Sequence, residues 1–154
     1  MTASLLVVVG GFAGSGRAVG GMNIAGHPAR VTSTSETVVL GSKNFAPNGI
    51  GWGTAHPRVI FNGGDPNGKA IHLTWRSWGR SSTSAHGLTY LFRPGGGYYS
   101  KPGAIVLLAY GIGRCSPGGP RAYLHLRARE ASRPGGPYGP WFAWGGQRNL
   151  CRWS

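Results

Sequence analysis

Three acidic side chains, Glu36, Asp65 and Glu130, and five histidines, His27, His56, His72, His86 and His125, are the acid–base groups of this chain. A Ser-His-Asp triad needs an aspartate within reach of a histidine and a serine, and Asp65 is the only aspartate. Hydrolytic chemistry would therefore use Asp65 with His72 or His86, the histidines nearest to it in the following stretch. The supporting motifs are missing. There is no GxSxG elbow, and "GGDPNGKA" puts Ala70 where a phosphate-binding loop carries Ser or Thr. A two-carboxylate glycosidase would need Glu36, which falls in an apparent linker, or Glu130, which falls among arginines. The histidines show no HxH or HExxH spacing, and Cys115 and Cys151 are far apart. Zinc and calcium both require converging ligands, so no metal and no cofactor are expected. The chain reads as a non-enzyme, with a secreted hydrolase built on Asp65 as the alternative.

Binding chemistry has better material. Lys and Arg number 16 against 3 acids, a net charge of +13, which favours polyanionic partners. GC-rich codon usage, which enriches Gly, Ala, Arg and Pro together, is an alternative source of the same excess. In "RAYLHLRAR" (121–129), Ala122, Leu124, Leu126 and Ala128 alternate with Tyr123, His125, Arg127 and Arg129. A strand with that period turns the second set outward, as a mixed aromatic and basic strip. Aromatic faces can stack on rings while arginines follow an anionic backbone. Arg76 and Trp78 are further candidate ligand contacts. Trp141, Trp144 and Trp153 are either a sugar platform or a closure at the end of the fold. No RNP, KH or zinc-finger pattern points to nucleic acid. The expected partner is an anionic cell-wall polymer or a polysaccharide.

The elements that must position these residues are short strands. Gly 29 and Pro 11 make a chain rich in turns, and a 40% hydrophobic fraction supports one modest core. "PRVIFN" (57–62) reads as a strand and "GGDPNGK" as a turn. In "AIHLTWR" (70–76), Ile71, Leu73 and Trp75 form an inner face. In "GLTYLFR", Leu88, Tyr90 and Phe92 share a face. "AIVLLAY" (104–110) is continuous and apolar, as for a strand covered on both sides. No apolar stripe of helical period runs for ten residues. The expected class is all-β, a small antiparallel β-sandwich or barrel behind a disordered or targeting N-terminal segment. "WRSWG" reads as a strand end, with Trp75 buried, Trp78 covering the sheet edge, and the Ser-rich run after it as a bend or stop.

The expected organisation is a truncated export signal at 1–25, a flexible linker at 26–56 and a β-sandwich domain at 57–154. The apolar run Leu5 to Gly14 fits a signal core and is too short to span a membrane, although nothing before Arg17 is basic. Two cysteines in an exported chain suggest a Cys115–Cys151 disulfide. It would close a loop of about 36 residues and add roughly 4 kcal/mol in the chain-entropy model. The localisation expected is secreted or cell-surface.

Residues 57–151 also carry a recurring pattern: Pro57, Ile60, a Gly64-Asp65 turn, Trp75-x-Ser77-Trp78-Gly79, Gly87, then Cys115 and Cys151. The chain thereby resembles small, secreted, uncharacterised β-rich proteins of high-GC Gram-positive bacteria. That resemblance implies export, a small β domain and a disulfide. It implies no catalytic residues, and the N-terminus lacks the basic start such proteins usually have.

Overall fold

A computed structural model describes residues 36–147 and 149–152. The expected export signal, 1–25, lies outside the described residues. The fold is all-β: seven strands form one mixed sheet that curls into a half-barrel. They are β1 (Val39–Leu40), β2 (Ile60–Phe61), β3 (Lys69–Arg76), β4 (Ser82–Thr89), β5 (Gly103–Arg114), β6 (Arg121–Glu130) and β7 (Phe142–Ala143). Their order is β1-β6-β5-β4-β3-β2, with β7 also on β6. All pairings are antiparallel except β1 with β6, which is parallel. Among the described residues no helix is long and apolar enough to cross a membrane.

The folded region reaches back beyond Pro57. Val38, Leu40, Phe45, Ala46 and Trp52 all belong to the buried core. The segment expected as linker up to residue 56 is thus, from Val38 onward, part of the domain. Its Gly, Ser and Pro make turns between single buried side chains. The Phe45 and Trp52 rings meet edge to face at 4.4 Å, and Trp52 Nε1 donates to Phe61 O.

Strand faces depart from simple alternation at three places. In β3 a bulge falls between Ile71 and Thr74, and His72 adopts a φ of 54°. The inward residues become Ala70 and Leu73, and Ile71 is only half-buried. Opposite the bulge, a Cβ on Gly87 would come within 2.6 Å of Ile71 O, so only glycine fits there. The Ser-rich run is strand β4 itself rather than a stop, with Thr83, Ala85 and Thr89 inward. Thr83 Oγ1 donates to Arg76 O and Thr89 Oγ1 to Lys69 O, which ties both ends of β3. The face expected to be shared by Leu88, Tyr90 and Phe92 is the outer one: Leu91 is buried and Phe92 is exposed.

The third departure lies in β5 and β6, whose pairing register stays constant. Inward residues run Ile105, Leu107, Ala109 and then Ile112, and on β6 Ala128, Leu126 and then Tyr123. The phase changes where Gly111 takes a φ of 69°. A Cβ there would strike the His125 ring at 2.7 Å. Tyr123 is in consequence fully buried, not on the outward strip. Cys115 and Cys151 are bridged, with Cα atoms 5.1 Å apart.

Candidate ligand-binding site

On the side of Gly111 where the alternation holds, the outward face of β5–β6 stays open. Tyr110 and His125 are cross-strand partners. Direct neighbours in an antiparallel pair bring side chains into contact, and the two rings stack at 5.1 Å, tilted 26°. Arg127, two residues on, is exposed. The strand β7 pairs with β6 at Arg127 and Ala128, which carries Trp141 and Phe142 to the same place. Tyr110, His125, Arg127, Trp141, Phe142 and Gln147 line a cavity of about 410 Å³. Arg129 stands beside it. Its guanidinium lies 5.0 Å from the ring centres of both Tyr138 and Trp141, an arrangement attractive through the ring quadrupoles. Among the described residues its buried Nε has no hydrogen-bond partner, so the two rings are the favourable contacts its cation makes.

Of the expected contacts, His125 and Arg127 line this cavity and Arg129 braces its wall. Arg76 is exposed at the far end of β3. Trp78 lines a different cleft, with Arg80 and Arg121. Tyr123 is the correction: burial raises its phenol pKa, and its hydroxyl accepts from Gly79 N and donates to Arg80 O. Sequence reasoning passed over Tyr110, Tyr138 and Phe142. Tyr110 sat in a run read as wholly core, and its pairing with His125 depends on register. Trp144 is buried with Nε1 donating to Asn62 Oδ1, so it closes the fold, while Trp153 lies outside the described residues.

No family model, curated protein or solved structure matches the chain. The reading of the site therefore rests on its own chemistry.

Asp65 makes no hydrogen bond to His72 or His86 among the described residues. It instead shares a cavity of about 380 Å³ with Glu130, Asn62, Asn67 and Trp144. Glu36, the third acid, is spent in an exposed two-point pair with Arg114, 2.7 Å on each oxygen, which lowers its carboxyl pKa. Among the described residues no three His, Cys, Asp or Glu side chains are grouped as metal ligands.

Glu130 has the parity of Ala128 and so turns to the inside of the sheet. Burial pushes its carboxyl up from 4.5 to about 7. Below 4.5 it is protonated in folded and unfolded chains alike. Between 4.5 and about 7 the unfolded chain ionises first, so its contribution to stability is lost as pH rises. Glu130→Gln is expected to flatten this slope. Above neutrality it should raise stability by up to about 2 kcal/mol, allowing for screening of a half-buried carboxylate. Urea unfolding of both proteins on either side of the transition checks it; equal pH slopes would contradict it.

Proposed function

We propose that this protein is a secreted or cell-surface binding module, not an enzyme, whose β5–β6 face holds an anionic polysaccharide of the cell envelope. The observation that carries this reading is the cavity itself, where the stacked Tyr110–His125 pair, Trp141 and the Arg127 cation converge. Aromatic rings offer flat apolar faces to the C–H faces of sugars. An arginine fork pairs with carboxylate, sulfate or phosphate groups in two-point geometry. The net charge of +13 draws a polyanion toward the surface from any side. Export is supported by the disulfide, since such bonds persist in oxidising compartments.

Retention of the protein on purified cell wall and on immobilised polygalacturonate, across a salt series, tests the proposal. Strong retention at low salt is expected, weakening as salt rises. Arg127→Ala and Trp141→Ala should each weaken it by about tenfold, the loss of one good contact. No retention at low salt, or retention indifferent to both substitutions, would overturn the reading.

A further inference from the structure

A second cavity, on the opposite side of the sheet order from β6, has different chemistry. It encloses about 460 Å³ between β2, the turn at 64–66, the start of β3 and the chain following β4. Phe61, Pro66, Tyr90, Tyr98 and Tyr99 supply its walls, and among the described residues Lys69 is the one charged side chain lining it. The wall is built rigidly. Phe92 and Tyr98 pair across a β-bridge and stack at 4.6 Å, tilted 25°, while Tyr99 N donates to Leu91 O. The lip is open, because nothing lies within 4 Å of a Cβ built on Gly64.

The side-chain polar groups of this cavity have no hydrogen-bond or ion-pair partner among the described residues. Among the described residues the hydroxyls of Tyr90, Tyr98 and Tyr99 make no hydrogen bond, and the one ion pair is Arg114 with Glu36. Asp65, between two lining residues in sequence, faces the Glu130 cavity instead. Lys69 therefore carries an uncompensated positive charge at an aromatic wall. Cavities of this size with aromatic linings and a few converging polar groups are the usual form of small-molecule sites. Flat aromatic ligands stack offset or edge-on against such walls.

We propose that this cavity is a binding site for a small planar aromatic carboxylate, its ring held among Phe61, Tyr90 and Tyr99 and its carboxylate paired with Lys69. The site is independent of the polysaccharide face and stands whether or not that face binds.

The test is an NMR titration of the full chain with 2-naphthoate, its neutral isostere 2-naphthylmethanol, and glucuronate as an acid without an aromatic ring. Naphthoate should give saturable shifts confined to this cavity and bind at least about tenfold tighter than either comparison compound, the increment of one ion pair in a partly dry site. Lys69→Met should bring naphthoate down to the level of the alcohol. Tyr99→Leu should weaken both aromatic compounds, and unchanged spectral dispersion of each variant confirms its folding. Equal binding of acid and alcohol, equal binding of glucuronate, shifts elsewhere on the protein, or no saturation would each overturn the proposal.

Discussion

Reduction of the Cys115–Cys151 bridge is expected to remove about 4 kcal/mol of stability, because it frees a loop of about 36 residues in the unfolded chain. For a domain of this size that is a large share of a net stability of about 5–15 kcal/mol, and corresponds to a fall in Tm of roughly 15 °C. The native contacts at stake are specific. Cys151 follows Leu150, which is fully buried. Leu150 N donates to Leu124 O, and Ser42 N donates to Leu150 O, so this one residue links β6 to the segment after β1. Gly41 approaches so closely that a Cβ there would meet the Leu150 side chain at 2.7 Å. The bridge anchors that plug to the end of β5. Urea unfolding of the oxidised protein, the reduced protein and the Cys115→Ser/Cys151→Ser variant measures the effect. Amide exchange at Leu150 should quicken in both reduced forms. A loss below about 1 kcal/mol would mean that the C-terminal segment holds without its covalent tie.

The all-β class was legible because Gly and Pro turns separate short apolar runs of period two, and the disulfide because the chain has only two cysteines. The faces were legible only in part. A one-residue register slip turns every later side chain to the other side of a sheet, as at the β3 bulge by His72, and at Gly111 the inward phase changes within an unbroken β5–β6 register; φ is positive at both. Nothing in "AIHLTW" marks His72 as left-handed. The bulge is accommodated by Gly87 on the facing strand, fifteen positions away, a pairing that no local period shows. The Ser-rich β4 was hidden for another reason: beneath a curled sheet, Thr83, Ala85 and Gly87 leave room that larger residues would fill, so a central strand carries no apolar signature. The segment from Val38 to Trp52 has too little regular structure for any period to show. Its large aromatic residues were the available sign, since a linker has no use for Phe45 and Trp52 in a core.

The site divides along the same line. His125 and Arg127 follow from alternation within a single strand, on the side of Gly111 where the phase holds. Tyr110 needs the β5–β6 register, and Trp141 needs the return of β7 onto β6, so both depend on long-range pairing. Tyr123 lies just past the change of phase at Gly111, which is why local alternation placed it outside and the fold placed it in the core.

Trp78→Ala is expected to cost about 3 kcal/mol, the low end for removing a large aromatic side chain because Trp78 is half-buried. Its indole packs edge-on against Trp75 at 4.8 Å and Tyr123 at 5.2 Å, and lies against His56 at 4.6 Å. With an interplanar angle of 80° the two tryptophans make no flat platform. Both indole N–H groups are used on the N-terminal arm, Trp75 Nε1 to Pro57 O and Trp78 Nε1 to Val38 O. The turn between β3 and β4 is clasped in the same way, through the Tyr123 hydroxyl. Trp78→Phe keeps a ring but strips the donor from Val38 O and should cost about 1 kcal/mol. Urea unfolding gives both values, and polygalacturonate retention at a temperature where all variants are folded gives the complementary one. Retention should be unchanged in both, because Trp78 stands in a cleft apart from Arg127 and Trp141. The reverse result, stability within about 1 kcal/mol of the parent and retention lost, would make Trp78 a ligand contact. It would also move the polymer from the β5–β6 face to the cleft where Arg80 and Arg121 flank this ring.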